Sequence, residues 1–252
     1  MGEKRIRIVE NGPFVVSGGI PLQEEAMVGK DRHREYETIR TFEVGEEYAL
    51  CRCGHTKTPP FCDGAHAHAS FNGGEIASRE PYYQRARVFR GETLDLYDDG
   101  RCAYARFCHR RHGSVWRMTE ESDVAEIREE AIRAACDCPT GRLVQHDKTA
   151  GYAQIEPDFE PSIAVLQDTE REISGPLYVK GRIPLTSADG TEYETRNRYA
   201  LCRCGASRNM PFCDAMHITT RYKDSPEEEN PESKGNWLRA WLFPESAKGR
   251  GT

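Results

Sequence analysis

Three cysteines and a histidine fall within sixteen residues, CRCGHTKTPPFCDGAH, from Cys51 to His66. The same spacing, C-x-C-x8-C-x3-H, returns in CRCGASRNMPFCDAMH, from Cys202 to His217. Thiolates and imidazoles bind soft and borderline metals, and both tetrahedral zinc and iron–sulfur centres accept this donor set. Cysteines one residue apart leave an extended segment on the same side and can serve one centre together. The Pro-Phe-Cys-Asp step, residues 60–63 and 211–214, predicts a turn into a short helix. On that helix the cysteine and the histidine four positions later share a face. Asp63 and Asp214 would lie in its first turn, where free N–H groups stabilise a carboxylate. One such stretch could be buried cysteines beside a surface histidine. Identical spacing in two copies argues for a metal site in each.

Zinc sites more usually space their cysteines two to four residues apart, so the C-x-C pair leans away from zinc. Both loops resemble the CDGSH iron–sulfur family, with the signature C-x-C-x2-(S/T)-x3-P-x-C-D-G-(S/A/T)-H. The first copy matches at Cys51, Cys53, Thr56, Pro60, Cys62, Asp63, Gly64, Ala65 and His66. The second keeps Cys202, Cys204, Ser207, Pro211, Cys213, Asp214 and His217, with Ala215 and Met216 where the family has Gly and Ser. The resemblance implies a 2Fe-2S cluster in each unit, held by Cys51, Cys53, Cys62 and His66 and by Cys202, Cys204, Cys213 and His217. It also implies a β-rich fold assembled from two such units. Two copies in one chain are then expected to pair as an intramolecular pseudo-dimer, the alternative being a symmetric dimer of whole chains. A neutral imidazole in place of a thiolate removes one negative charge from the cluster, which eases reduction. It also adds a ligand for which protons compete near neutral pH.

The other four cysteines, Cys102, Cys108, Cys136 and Cys138, lie between the copies. Around them the pattern predicts a strand pair about Gly91, a short helix after Cys102 and a strand over residues 114–118. A helix capped by Ser122 or Asp123 follows, with Val124, Ile127, Ala131, Ile132 and Ala135 at 3- and 4-residue spacing. It delivers Cys136 and is ended by Pro139; short strands are expected at residues 142–144 and 151–155. This order, with C-x5-C and a late Cys-Pro, resembles a small single-cluster ferredoxin. The resemblance implies a 3Fe-4S or 4Fe-4S cluster on Cys102, Cys108 and Cys138. There is no C-x2-C-x2-C run, so a four-iron cluster would need Cys136 or a non-cysteine as its fourth ligand. The alternatives are ordinary buried thiols or a disulfide such as Cys102–Cys136, disfavoured inside a cell.

These loops must be positioned by elements that repeat with them. GPFVVSGGIPL at Gly12 aligns with GPLYVKGRIPL at Gly175, an offset of 163, and YALCRCG at Tyr48 aligns with Tyr199 at 151. Tyr36-Glu37-Thr38 aligns with Tyr193-Glu194-Thr195 at 157. The first copy thus carries about twelve extra residues, expected in loops around residues 24–34. Each unit should run as a strand ending in Ile-Pro-Leu, a turn, a strand ending in Tyr-Ala-Leu and the ligand loop. Ser187-Ala188-Asp189-Gly190 offers the Asp-Gly pair of a hairpin turn.

Composition agrees with small units supported by more than apolar burial: 37% is hydrophobic, 30% is charged, and Gly and Pro number 22 and 14. A net charge of −6 lacks the basic field of a nucleic-acid protein. No apolar run approaches the ~18 residues of a membrane span, and the N-terminus has no apolar leader core. A cytoplasmic protein without a membrane partner is expected, in which clustered thiols are metal ligands.

The expected class is α+β: two small β-rich CDGSH-like units with an inserted ferredoxin-like α/β sandwich. The boundaries are residues 1–80 for the first unit, 81–160 for the insert, 161–224 for the second unit and 225–252 for an acidic tail. Trp237 and Trp241 would form a terminal helical turn in that tail. His55 and His68 read as solvated, His109 and His112 as part of a basic face with Arg110 and Arg111. Phe71 and Tyr222, at equivalent positions, read as packing residues. The expected function is electron transfer through three centres, with redox or apo-acceptor proteins as partners. The alternatives are a labile cluster donor, a pH or redox sensor, and a zinc-stapled interaction module. No nucleophile–base constellation suggests an enzyme.

Overall fold

In the computed structural model, residues 2–224 are described; the acidic tail and the turn at Trp237 and Trp241 lie outside the described residues. Alternating apolar and polar residues build the first unit's opening hairpin, β1 (Arg5–Ile8) and β2 (Phe14–Ser17), with Ile6, Ile8, Phe14 and Val16 buried on one face. β3 (Leu22–Lys30) and β4 (His33–Phe42) form a second hairpin, and β5 (Glu47–Leu50) pairs with β2 and leads into the first ligand loop. The first unit's twelve extra residues are therefore strand, not loop: they lengthen the β3–β4 ladder, which runs from Leu22↔Phe42 to Lys30↔His33.

The insert enters through α1 (Tyr82–Arg85). It contains β6 (Arg87–Arg90), β7 (Leu94–Asp98), the two-residue strands β8 (His109–Arg110) and β9 (Gly113–Ser114), α2 (Val115–Glu120), α3 (Ala125–Cys136), β10 (Leu143–Asp147) and β11 (Ala153–Ile155). Its sheet is antiparallel in the order β11-β10-β7-β6. Leu94, Leu96 and Leu143 of that sheet pack with Val115 and Met118 of α2 and Ala131, Ala134 and Ala135 of α3. The strand expected over residues 114–118 is instead α2. Ser114 accepts a hydrogen bond from the Arg117 N–H as its cap, and Val115, Met118 and Thr119 recur on its buried face. No helix follows Cys102, because Tyr104 (φ 57°) and Arg106 (φ 67°) are left-handed and interrupt any helical run. Ser122 does not cap α3; its hydroxyl accepts the Thr93 and Leu94 N–H groups, and α3 starts after Val124 without a side-chain cap.

The second unit repeats the first with β12 (Ser162–Asp168), β13 (Ile173–Lys180), β14 (Leu185–Thr186) and β15 (Arg198–Leu201), then the second ligand loop and α4 (Met216–Thr219). The expected turn forms, with Gly190 donating to the Ser187 carbonyl at 3.0 Å. The Ile-Pro-Leu segments begin strands rather than end them, and the strands they begin cross to the other unit. β1 pairs in parallel with β14 (Ile6↔Leu185), and β12 pairs in parallel with β3 (Ile163↔Leu22). Pro184 and Pro21 cannot donate to a ladder; their carbonyls accept the Ile6 and Ile163 N–H groups, each at 2.9 Å. The resulting sheets, β14-β1-β2-β5 and β15-β13-β12-β3-β4, each contain strands of both units. Ile6, Phe14, Leu22 and Leu50 share one core with Ile163, Leu177, Leu185 and Leu201. No helix among the described residues is long and apolar enough to cross a membrane.

Candidate metal centres

Each ligand loop doubles back on the strand that feeds it. Cys62 N–H donates to the Ala49 carbonyl and Cys51 N–H to the Pro60 carbonyl, at 2.9 and 2.8 Å. Cys213 to Ala200 and Cys202 to Pro211 repeat this at 2.9 Å each. Thr56 and Ser207 donate their hydroxyls to the Phe61 and Phe212 carbonyls at 2.6 and 2.7 Å. Asp63 and Asp214 precede their short helices instead of lying in the first turn. Each carboxylate ties the two limbs of its loop: Asp63 accepts the Lys57 and Ala65 N–H groups, Asp214 those of Arg208 and Met216. Gly64 (φ 87°) and Ala215 (φ 72°) take the same left-handed conformation. The alanine thus keeps the family's loop shape at a strain of about 1 kcal/mol.

The candidate ligand atoms meet as pairs. Cys51 and Cys53 sulfurs lie 3.6 Å apart, and Cys62 Sγ lies 3.4 Å from His66 Nδ1. In the second loop the Cys202–Cys204 and Cys213–His217 distances are 3.6 and 3.5 Å. Among the described residues, no three Cys, His, Asp or Glu side chains converge in the way a single ion requires. Two pairs per loop suit two metal atoms with one pair on each. Burial pushes the Cys62 thiol up, the Cys53 thiol up to about 11 and the Cys213 thiol well up, so thiolates here call for a cationic partner. The backbone N–H of Gly64 points at Cys62 Sγ (3.5 Å), and the Ala215 N–H bonds the Cys213 sulfur. This sulfur-rich, buried, N–H-lined donor set fits an iron–sulfur centre.

The sites differ in depth. Cys202, Cys213 and His217 are buried, with His217 only 3% exposed, whereas Cys62 and His66 are half-buried. Burial pushes the His217 imidazole down to about 4 and so favours its neutral, metal-binding form.

Sequence reasoning passed over Arg52 and Arg203, although both stand between ligand cysteines in both copies. Both are buried. Arg52 donates to the Gly12 and Val9 carbonyls (2.8 and 3.1 Å), Arg203 to those of Gly175 and Leu166 (2.7 and 3.0 Å). Phe71 and Tyr222 cover these guanidinium groups at 5.3 and 5.4 Å, which is their packing role. Arg203 also forms an ion pair with Asp224, while Gly73 holds the equivalent place beside Arg52.

In the insert, Cys102 Sγ accepts the Tyr104 N–H at 3.2 Å and Cys138 Sγ lies 3.2 Å from the Thr140 hydroxyl. Burial pushes the Cys108 thiol up to about 12, with Cys138 and Cys102 adding to the rise, so these three lie within electrostatic reach of one another. Alternating left-handed residues at Tyr104 and Arg106 curl the loop between Cys102 and Cys108 into a shape suited to anions and iron–sulfur groups. Cys136, at the end of α3, has Arg198, Asp137 and Arg110 as its charged neighbours. All ten cysteines are unpaired, so the Cys102–Cys136 disulfide does not form. Cys102, Cys108, His109, Trp116, Arg106 and Arg142 face a pocket of about 600 Å³, closed on one side by the tip of the β3–β4 hairpin. His112 pairs with Glu130 at 2.9 Å instead of standing free in solvent.

Donor type, spacing and paired geometry define an iron-binding unit present twice. The model of the iron-binding zinc finger CDGSH type family matches residues 11–67 and 174–218. The chain carries two CDGSH-type units, one around each loop. No curated protein and no solved structure matches it.

Proposed function

We propose that this is an electron-transfer protein with a 2Fe-2S cluster in each CDGSH-type loop and a third centre, 3Fe-4S or 4Fe-4S, on Cys102, Cys108 and Cys138. The observation that carries this reading is the arrangement of the loop ligands as two pairs, 3.4 to 3.6 Å within each pair. When bound, such clusters supply one-electron exchange without bond making. The chain's residues hold and tune them: thiolates supply negative charge, backbone N–H groups and the buried guanidinium groups of Arg52 and Arg203 oppose it. Arg142 and Arg198 do the same beside Cys138.

Reciprocal pairing of β1 with β14 and β12 with β3 supports an intramolecular pseudo-dimer. The antiparallel insert sheet under two helices supports a ferredoxin-like sandwich. Ten unpaired cysteines suit a reducing, cytoplasmic setting. The role is that of a carrier serving redox proteins, not of an enzyme.

A second reading, a labile cluster donor or a pH or redox sensor, is favoured by one feature: His66 is half-buried, so water reaches one ligand of the first site. Visible absorption with iron, sulfide and zinc counts on anaerobically purified protein tests the first reading. Iron and sulfide with little zinc are expected; stoichiometric zinc without sulfide would leave only a zinc-stapled interaction module. Incubation with apo-ferredoxin separates carrier from donor, since a carrier keeps its colour. For the sensor, replacing both loop histidines with cysteine should slow cluster loss at mildly acidic pH, and unchanged loss removes that reading.

A further inference from the structure

The 202–217 loop has a cysteine group on each side of it. On one side the two ligand loops meet at their glycines. Gly54 and Gly205 are left-handed (φ 80° and 75°), and each faces the other loop's backbone. A Cβ on Gly54 would lie 2.7 Å from the Cys204 carbonyl oxygen, and one on Gly205 would lie 2.2 Å from that of Cys53. Only glycine allows this approach, and it brings Cys53 and Cys204 to the contact between the units. On the other side, Ala103 of the insert packs against Ala200 and Cys213. Cys102, its neighbour, shares a pocket of about 430 Å³ with Asn209 and Asp214 of the second loop. Cys102 also acts on the buried Cys213 thiol, which places the two sulfurs in electrostatic reach.

Burial of the cysteine–histidine pairs follows the same order: Cys51, Cys53 and Cys202 are all buried and Cys204 is half-buried, but only the second loop also buries its pair, Cys213 and His217. The first loop reaches solvent at Cys62 and His66, and the insert's Cys102 and Cys108 open onto the 600 Å³ pocket beneath the exposed Tyr104. Chain order would put the insert in the middle; the fold puts the second unit there.

We propose that the second unit is the inner member of a line of three centres, with its outlets at the His66 edge of the first unit and at the pocket beside Cys102 and Cys108. The proposal rests on the reading that all three cysteine groups hold iron–sulfur centres. A one-electron carrier is oxidised at one outlet as a second is reduced at the other, and no bond is made or broken. A centre held by Cys202, Cys204, Cys213 and His217 would exchange electrons with its two neighbours, because transfer falls steeply with distance and its Cys213–His217 side is buried.

The test uses the full chain purified anaerobically, with Cys62→Ser, Cys213→Ser and Cys138→Ser emptying the first, second and central sites in turn. Iron and sulfide counts report how many centres each protein holds, and electron paramagnetic resonance of stepwise-reduced samples reports which of them interact. Cys213→Ser is expected to lose the magnetic splitting altogether. Cys62→Ser and Cys138→Ser should each retain splitting between the second unit and the neighbour that remains. Splitting that survives in Cys213→Ser overturns the order while leaving the three-centre reading intact. A wild-type count of only two clusters overturns both. The unmodified chain decides the order independently of any variant's folding: under a chelator, the second unit's signal should disappear last, and its earlier loss overturns the proposal.

Discussion

A cation buried between two cysteines of a CDGSH-type loop needs carbonyls or a counter-charge, and the two units meet that need differently. Arg52 relies on the Gly12 and Val9 carbonyls, and its Nη1 has no partner; Arg203 adds the Asp224 carboxylate, which Ser174 also holds at 2.6 Å. Burial alone would raise the Asp224 carboxyl, but Arg203, Ser174 and Gln167 override it and hold it low. A carboxyl held low in the folded state stabilises the fold above its unfolded value of about 4 and loses that contribution as pH falls through the folded value. Asp224→Asn, which leaves a buried guanidinium unpaired, should therefore cost about 3 kcal/mol at pH 7 and much less at pH 3. Denaturant unfolding at both pH values checks this, and an equal gap at the two would refute the pairing. The pairing of Cys51 with Cys53 and Cys62 with His66, repeated at Cys202, Cys204, Cys213 and His217, follows the spacing in the sequence, because a donor set restricts residue type. Arg52 and Arg203 were not legible, since an arginine between cysteines says nothing of the carbonyls it will reach. The aspartates were expected in the first turn of a helix; they precede it instead, and their tie to Lys57 and Arg208 depends on the loop doubling back.

At the scale of elements, the β3–β4 hairpin explains the first copy's extra residues. Tyr36 on β4 stacks on Phe107 with centroids 4.3 Å apart and planes 21° from parallel, and it donates its hydroxyl to the Asp137 carbonyl at 2.8 Å. One side chain thus fastens the loop of Cys102 and Cys108 to the end of α3, just before Cys138. Tyr36→Phe should cost about 1 kcal/mol through the lost hydrogen bond. Tyr36→Ala should cost about 3 kcal/mol through lost packing as well, and under the proposed third centre it should lower the chain's iron content by that centre's share while the two loops keep theirs. Thermal melts and iron counts test this; Tyr36→Ala protein with wild-type melting and full iron would show that the hairpin does not brace the site. The strand pair about Gly91 and most of the apolar face of α3 were readable from local periodicity; Val124, expected on that face, precedes the helix and is exposed. The start of β3 and β14 was not readable, because a proline-led strand finds its partner in the other unit. Residues 114–118 misled for a related reason: their β-forming residues yield to a serine cap and to the apolar spacing that α2 buries.

For the whole molecule, the parallel pairs Ile6↔Leu185 and Ile163↔Leu22 make each unit's sheet depend on a strand from the other, and the buried faces of both form one core. A unit of this size alone buries a smaller fraction of its surface than a larger domain does and is correspondingly marginal. The first unit by itself would also expose β1 along the edge that β14 covers, and open edges of this kind invite aggregation. Residues 1–80 expressed alone should therefore give no folded monomer. Co-expressed with residues 81–252, they should form a soluble complex that co-purifies with iron. Ile6→Ala and Ile163→Ala, placed at equivalent points of the exchange, should each cost about 2–5 kcal/mol, typical of apolar truncation in a packed core. Size-exclusion chromatography with amide spectra of the fragment decides between a shared core and two independent ones. A well-dispersed, monomeric spectrum from residues 1–80 would show that each unit carries its own core and that the strand exchange only joins finished parts.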